Sequence, residues 1–239
     1  GRVIGAVVER EGQAVRVSVR RGVVLATGGC PWHAQQRARH FPQPTGPWSM
    51  SAAGNAGDGI TIAQAAGAAL GGGQVNPAFW APVSILKRPD GGETRYPHLV
   101  WDRAKPGLMA VNGAGERFVN ESASYHDFVV GMYASHQRVP TVPAHLICDA
   151  DFMERWGLGL ALPGGRPREH LVRAGYLYRA DTLAELATQL DLPEQALVQS
   201  TERFNRWAEL GRDEDFGKGG TEYNRYLGDP EHRPNPCLG

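Results

Sequence analysis

The sequence predicts an α+β fold, and three patterns support that prediction. Valines alternate with polar residues in the first 25 positions, as they do in strands. Small apolar residues recur at helical spacing after Asp58, and capping signals at Thr182 and Pro193 introduce two longer helices. The 31 glycines and 17 prolines make up about a fifth of the 239 residues, against an average of about 12%. We therefore expect short elements joined by many turns.

Charge and composition exclude several classes of function. The 25 Lys and Arg residues balance 25 Asp and Glu residues, which argues against a nucleic acid or an anionic membrane as partner. No run approaches the roughly 18 apolar residues of a membrane-spanning helix. The widely spaced Cys30, Cys148 and Cys237 fit neither a disulfide framework nor a zinc cluster, and we predict no metal site. Without a signal peptide, the chain is expected in the cytoplasm.

The first 70 residues are predicted to form strands followed by one main helix. The alternation over residues 3–19, with a turn at Glu11-Gly12, indicates a hairpin, and the apolar run Val23–Leu25 indicates a third, fully buried strand. A brief helix is expected within residues 33–40. The helix that follows Gly57-Asp58-Gly59 has small residues on one face, which would let it pack closely on a sheet.

The composition changes near Gly71–Gly73, where we place a domain boundary. Residues 71–115 read as short strands and loops interrupted by five prolines, with turns at 89–92 and at Asn112-Gly113. Beyond them the patterns predict the following elements: a helix over Tyr125–His136, a strand over Leu146–Cys148, a short helix over 151–156, and helices over Leu183–Leu190 and 193–210. Periodicity ends at Gly211.

Two glycine-rich segments are candidates for nucleotide binding. The predicted buried strand ends in Ala26-Thr27-Gly28-Gly29, which would bring backbone N–H groups to the sheet edge where nucleotides bind. Taken alone, a strand followed by Gly-Gly is more often just a tight turn. Residues 54–59 include Asn55, Gly57, Asp58 and Gly59 before a helix. They form either a simple helix cap or a backbone cradle in which Asp58 accepts from a ribose or polyol hydroxyl.

Taken together and in order, four segments resemble a known family. Residues 23–29 (VVLATGG), 54–59 (GNAGDG), 112–121 (NGAGERFVNE) and 211–217 (GRDEDFG) are similar to the flavoproteins that include fumarate reductases, succinate dehydrogenases and 3-ketosteroid dehydrogenases. The resemblance implies an FAD-binding α/β domain with an inserted capping domain, and substrate held between the cap and the flavin ring. It implies that the cofactor contacts these residues: Ala26, Thr27, Gly28, Gly29, Asn55, Gly57, Asp58 and Gly59.

The same resemblance implies that this chain is the middle of a longer protein. It assigns residues 1–70 to a partial FAD-binding domain, 71–225 to the cap, and 226–239 to the start of a return to the FAD-binding domain. The chain opens at Gly1 rather than Met, and both the family's Gly-x-Gly-x-x-Gly pyrophosphate loop and its returning carboxyl-terminal segment are absent. The missing parts of the same polypeptide are therefore expected partners, and we expect the chain alone to bind no flavin.

The substrate is expected to be a small apolar ketone. In fumarate-reducing members of the family, an Arg four positions after Asn-Glu protonates the substrate, and this chain has Tyr125 there. Their His-Pro-Thr element binds the substrate carboxylate, and the corresponding residues here are Trp80-Ala81-Pro82. A dicarboxylate needs fixed cationic partners. Trp48, Phe79 and Trp80 offer an aromatic wall instead.

The resulting prediction is a flavin-dependent oxidoreductase that acts on a carbon–carbon bond next to a ketone, like a 3-ketosteroid dehydrogenase. In that family a Tyr after Asn-Glu helps remove a proton beside the carbonyl while the flavin accepts hydride, which implies a catalytic role for Tyr125. Two alternatives stay open: a fumarate reductase-like reduction of a small unsaturated acid, and a catalytically silent fragment. Without the resemblance, Tyr125 would read as a packed aromatic, and Asn120 and Glu121 as braces of a turn.

Overall fold

A computed structural model describes residues 2–72 and 74–239. The chain divides into two compact units, Gly1–Ala78 and Phe79–Gly239, described in turn below as unit 1 and unit 2. The predicted boundary includes Gly73, which lies outside the described residues, as does Gly1. Helices and small sheets together confirm the α+β class at this coarse level.

Unit 1 begins with the predicted hairpin. Strand β1 (Gly5–Arg10) pairs antiparallel with β2 (Gln13–Ser18), and Arg10 lies opposite Gln13 at the turn. Glu11 and Gly12 have φ of 54° and 77°, the left-handed pair that a two-residue hairpin turn with the correct twist requires. Every residue of β2 is exposed.

The predicted third strand is wrong. Val23–Leu25 lies in no strand, and its side chains are 40%, 91% and 46% exposed. A buried strand needs neighbours for its backbone N–H and C=O groups and cover for its side chains. Among the described residues of unit 1 the strands are β1 and β2, which pair with each other. The apolar run shows that the segment favours burial, but it does not show which chain segment supplies the neighbours.

Two helices complete unit 1: α1 (Ala34–His40) and α2 (Asp58–Ala65). Asp58 lies in the first turn of α2, where a negative charge is stabilising. The helix is shorter than the apolar spacing predicts. It ends in a Schellman motif, in which left-handed Gly67 donates to the Gln64 carbonyl and Ala68 donates to the Ala63 carbonyl.

Unit 2 contains two antiparallel strand pairs and six helices. Strands β3 (Val83–Lys87) and β4 (Glu93–Pro97) flank the predicted 89–92 turn, and β5 (Leu108–Val111) pairs with β6 (His145–Cys148). The helices are α3 (Tyr125–His136), α4 (Ala150–Arg155), α5 (Glu169–Arg173), α6 (Leu183–Leu190), α7 (Glu194–Leu210) and α8 (Glu222–Tyr226).

The buried strand β5 organises the core of unit 2, because its side chains alternate between two faces. Met109 and Val111 pack in a cluster with side chains of α6 and α7, including Leu197 and Phe204. On the other face, Leu108 packs with Phe152 of α4, and Ala110 packs with Phe128 of α3. This arrangement fixes α3, the helix that begins at Tyr125, against the centre of the unit.

The four predicted helices of unit 2 are confirmed: α3 and α6 have the predicted bounds, and the bounds of α4 and α7 differ from the prediction by one residue. Ser124 caps α3 by accepting from the Asp127 N–H at 3.1 Å, and Thr182 caps α6 by accepting from the Glu185 N–H at 3.2 Å. Pro193 is the N-cap of α7 rather than its first helical residue. Helices α5 and α8 were not predicted. No helix within residues 2–72 and 74–239 is long and apolar enough to cross a membrane.

Candidate active site

The two glycine-rich segments of unit 1 lie against each other. The Gly57 N–H donates to the Gly29 carbonyl at 3.2 Å, and the Trp32 N–H donates to the Asn55 carbonyl at 3.3 Å. The structure therefore brings the predicted cofactor-binding residues of segments 26–29 and 55–59 together in one wall.

Close packing explains two of the glycines. A Cβ at Gly59 would lie 2.0 Å from Thr27 Oγ1, and a Cβ at Gly28, whose φ is 77°, would lie 2.4 Å from Asn55 Oδ1. Gly57 and Gly59 are buried, whereas Ala26–Gly29 are exposed and carry no side chain larger than that of threonine. An extended cofactor could thus run along the exposed backbone of 26–29 while the 55–59 turn supports it from behind, so these residues fit a dinucleotide.

Tyr125 is the first residue of α3, and its side chain is 39% exposed. The preceding loop is firmly held: Asn120 accepts from the Ser122 N–H at 2.9 Å and donates to Asn224 Oδ1 at 3.1 Å. An exposed phenol on a fixed helix start is suited to contact a ligand from a constant position.

The predicted aromatic wall lies partly beside the same helix. The Trp80 N–H donates to His126 Nδ1 at 3.2 Å, and the Phe79 ring contacts the His126 ring edge-on with centroids 6.1 Å apart. Trp80 is 9% exposed and packs on Tyr133, whereas Phe79 is 95% exposed. Trp48, 37% exposed, belongs to unit 1. The structure thus joins Phe79 and Trp80 to the start of α3.

A buried ionic cluster stabilises the loop before Tyr125, and sequence reasoning missed most of it. Arg117 donates to both carboxylate oxygens of Glu121, at 2.9 and 2.7 Å, and to Asp213 at 2.9 and 3.2 Å. Glu121 also accepts from the Ala110 N–H of β5 at 3.0 Å. Glu121 therefore braces the loop, as one of the sequence-based interpretations held. The acidic run at 211–217 contributes the second partner of Arg117, and this charge complementarity was the available signal.

The pKa values in the cluster follow from burial and pairing. Burial raises the pKa of Glu121, but the charge and hydrogen bonds of Arg117 outweigh it and hold that pKa below its usual value. The same balance between burial and Arg117 lowers the pKa of Asp213. Burial lowers the pKa of Lys218, a fully buried residue whose ammonium donates to the Leu108 carbonyl, to about 8.

Arg103 connects a second segment to the same loop. Its fully buried guanidinium donates to four backbone carbonyls, those of His98, Leu99, Glu121 and Ala123. The guanidinium also lies over the Phe128 ring of α3, 4.5 Å from its centroid. Arg103 thus contacts the chain on both sides of Tyr125. Nothing in the sequence indicated this role, because an arginine is normally read as a surface residue.

Cysteine and metal chemistry find no support in the geometry. Burial raises the pKa of the Cys30 thiol, which is 6% exposed. Burial also raises the pKa of Cys148, to about 12. Such thiols behave as small hydrophobic side chains rather than nucleophiles. Within the described part of the chain, no group of three His, Cys, Asp or Glu residues could hold a metal ion.

The family model described as "FAD binding domain" matches residues 1–238. The chain belongs to this family. It is 38% identical to 4-oxocyclohex-2-ene-1-carboxylate 5-dehydrogenase of Sinomonas cyclohexanicum, over 100% of the chain and 40% of that protein. It is 37% identical to 3-oxosteroid 1-dehydrogenase of Mycobacterium tuberculosis, over 93% of the chain and 39% of that protein. The chain therefore spans about 40% of the length of these relatives.

Solved structures agree with the sequence relatives. The crystal structure of 3-ketosteroid delta1-dehydrogenase from Sterolibacterium denitrificans, in complex with 1,4-androstadiene-3,17-dione, matches with a TM-score of 0.85 and 37% identity, over 100% of the chain and 42% of that protein. A flavocytochrome c3 fumarate reductase matches with a TM-score of 0.51 and 21% identity, over 90% of the chain and 34% of that protein, which shows a shared fold alone. The predicted family is confirmed, and FAD is its cofactor.

Proposed function

We propose that the chain is part of an FAD-dependent dehydrogenase that acts on a carbon–carbon bond next to the ketone of a cyclic substrate. The observation that carries this proposal is the exposed Tyr125 phenol at the fixed start of α3, in a chain 37–38% identical to dehydrogenases of cyclic oxo compounds. Unit 1 would contribute to the FAD-binding domain. Unit 2 would contribute the cap, corresponding to the sequence-based range 71–225, with 226–239 leading back.

In this proposal, unit 1 holds the cofactor. The backbone of Ala26–Gly29 would lie along FAD, Gly57 and Gly59 would keep the supporting turn close, and Asp58 would accept from a hydroxyl of the cofactor. When bound, FAD supplies hydride acceptance. The contribution of unit 1 is to hold and orient this group.

Tyr125 takes the proton. The base in this step is the tyrosine phenolate, because a neutral phenol cannot take up a second proton. Phenols have a reference pKa of about 10, so their anions remove a proton efficiently only from carbon that a neighbouring carbonyl has acidified. This requirement matches a ketone substrate. A saturated carbon–carbon bond without a neighbouring carbonyl would offer no proton acidic enough for Tyr125 to remove.

Aromatic and apolar side chains select the substrate. Phe79 and Trp80 form an aromatic wall beside the start of α3. Trp48 of unit 1 stays a predicted substrate-binding residue. The buried cations around the Tyr125 loop are already bound within the protein: Arg103 to backbone carbonyls, Arg117 to Glu121 and Asp213. Neither is available to offset the desolvation of a dicarboxylate. This favours a small apolar ketone over fumarate.

The rest of the polypeptide would complete the sheet of unit 1. Val23–Leu25 is an exposed apolar run with no strand partner among the described residues, and such an edge is stabilised when further strands cover it. The isolated chain would then be catalytically inactive, because its sequence contains no Gly-x-Gly-x-x-Gly loop to bind the FAD pyrophosphate. This second candidate concerns the isolated chain and is compatible with activity of the whole protein.

Two measurements test the proposal. The full-length protein is assayed with a dye acceptor against 3-ketosteroids, oxocyclohexane carboxylates and fumarate. We expect turnover of the cyclic ketones, whereas turnover of fumarate alone would overturn the proposal. Flavin absorbance of the isolated chain after purification addresses the second candidate: we expect none, and a stoichiometric flavin band would contradict it.

A further inference from the structure

Unit 2 holds a chain of polar side chains that the flavin chemistry does not use. Ser84 Oγ lies 2.7 Å from His98 Nε2, and His98 Nδ1 lies 2.5 Å from Asp102 Oδ2. We propose that Ser84, His98 and Asp102 form a nucleophilic triad that is acylated by small apolar esters. A nucleophile bonded to a base, which is in turn oriented by a third group, is the arrangement this chemistry needs.

Local structure brings the three residues together. Ser84 lies in β3 and pairs with Tyr96 of β4, so its side chain lies near His98, which directly follows β4. Asp102 follows His98 by four residues, and the Arg103 N–H donates to its second oxygen at 2.9 Å. His98 and Asp102 are each 6% exposed, while Ser84 is only partly buried and keeps accessible surface. Ser84 is thus the most exposed of the three residues.

Hydrogen-bond directions activate the serine. The ionised Asp102 carboxylate can only accept, so His98 donates to it from Nδ1, and Nε2 of the neutral imidazole then accepts from the Ser84 hydroxyl. Because the Ser84 proton is used in this way, the Tyr176 O–H donates to Ser84 Oγ at 2.6 Å, while the Tyr176 oxygen accepts from the Leu160 N–H at 3.0 Å. This direction assigns the imidazole tautomer that a general base requires. Burial raises the pKa of Asp102, but the His98 hydrogen bond outweighs it, so the carboxyl stays ionised.

Gly159 seals the inner side of this chain. Its φ is 59°, and a Cβ there would lie 2.3 Å from Tyr176 Oη and 3.1 Å from His98 Cε1. Only glycine lets the backbone cover the phenol and imidazole so closely. The same region belongs to an apolar cluster with Leu86, Leu158 and Leu160 around it. An uncharged acyl group suits such surroundings better than an ionic one.

The reaction balances without a cofactor. Ser84 Oγ forms a bond to the ester carbonyl carbon, and its proton moves to His98 Nε2. As Oγ bonds to the carbonyl carbon, the Tyr176 O–H, which lies 2.6 Å from Oγ in the free chain, turns to the carbonyl oxygen and donates to the developing oxyanion. The bond to the alkoxy oxygen then breaks, and His98 protonates the departing alcohol. Water attacks the acyl-serine through the same base, which releases a carboxylic acid and restores Ser84.

The test uses the purified chain and does not depend on flavin binding or ketone oxidation. The chain is incubated with a fluorophosphonate probe and, separately, with p-nitrophenyl acetate, and the modified residue is located by peptide mass spectrometry. We expect labelling at Ser84 and loss of labelling in Ser84→Ala. Asp102→Asn should slow both reactions by about 10²- to 10⁴-fold, because general-base catalysis typically accelerates a reaction by that factor. Ser200→Ala is the matched control, because Ser200 donates to the Gly115 carbonyl and has no histidine partner.

The alternative role is a polar clamp that only holds the β3–β4 hairpin. If the folded chain shows no adduct at Ser84, or if Asp102→Asn reacts as fast as the unchanged chain, the triad is excluded. Circular dichroism of each variant establishes that it is folded. Gly159→Ala provides a second variant that keeps all three polar groups: a triad predicts slower labelling there, whereas unchanged labelling would overturn the proposed geometry.

Discussion

Both terminal nitrogens of the Arg103 guanidinium donate to the Ala123 carbonyl, at 3.4 and 3.3 Å. Ala123 lies two residues before Tyr125. The same guanidinium binds three further carbonyls and lies over Phe128, so one buried side chain holds the start of α3 in place. These contacts of Arg103 would hold Tyr125, the proposed proton acceptor, in a fixed position.

Replacing Arg103 by lysine should destabilise the chain and misplace the loop. A single ammonium cannot reproduce the planar fork that reaches several carbonyls at once. Each buried carbonyl left without a donor costs about 1–3 kcal/mol, so we expect a loss of that order in urea unfolding. Arg212→Lys is the control, because the Arg212 side chain is 78% exposed and forms an ion pair with Glu214 at the surface. Equal stability of the two variants would contradict the role given to Arg103.

The Arg117–Glu121–Asp213 cluster predicts acid sensitivity. The folded-state pKa values of Glu121 and Asp213 lie below their usual values. Their contribution is therefore fully present above the unfolded pKa values of about 4.3 and 3.9, and it is lost as pH falls through the lower folded values. Unfolding free energy measured from pH 7 downward should decline in that range. Glu121→Gln should be destabilised by about 3–5 kcal/mol at pH 7, because Arg117 loses a buried partner, and should show a weaker decline.

Lys218 predicts a second rise of stability with pH, in the alkaline range. Its pKa is about 8 in the folded chain, against about 10.4 when unfolded. The unfolded state binds more protons between these values, so this group makes stability rise with pH there. Urea titrations from pH 7.5 to 10.5 measure the unfolding free energy of the unchanged chain and of Lys218→Met. The value for the unchanged chain minus that for the variant should rise with pH. A flat difference would show that the buried amine keeps an ordinary pKa.

Gly59 tests the wall formed by the two glycine-rich segments. A methyl group there would overlap Thr27 Oγ1, so Gly59→Ala should cost about 1–3 kcal/mol through overpacking. Gly54→Ala is the control, since nothing lies within 4 Å of its added Cβ. The double variant Thr27→Ala/Gly59→Ala should recover much of the loss in a double-mutant cycle. Additive losses would mean that the segments do not pack as described.

A capping signal accounted for one helix directly. Thr182 before α6 marks the helix start by the hydrogen bond that the sequence predicted, whereas the Ser124 cap of α3 was not identified from the sequence. The short α5 and α8 lack a strong apolar stripe, so periodicity could not reveal them. Val23–Leu25 failed for another reason, because burial of a strand depends on partners that its own sequence does not encode.

The candidate site was predictable only in part. Tyr125, Phe79 and Trp80 were proposed through family resemblance, and the structure brings the latter two beside the first turns of α3. Arg103 and Lys218 were not proposed. Their burial depends on backbone carbonyls supplied by distant loops, and a sequence pattern assigns charged residues to the surface by default.

The most direct test of the account is the Tyr125→Phe variant of the full-length, flavin-loaded protein. Phenylalanine keeps the ring and removes only the hydroxyl, so flavin content and substrate affinity should stay close to those of the unchanged enzyme. The quantity to measure is kcat for dye-linked oxidation of a cyclic ketone, with flavin absorbance as the loading control. The account predicts a fall of about 10²- to 10⁴-fold in kcat with little change in KM. Retention of kcat in the loaded variant would show that Tyr125 is not the proton acceptor and would contradict the proposed mechanism.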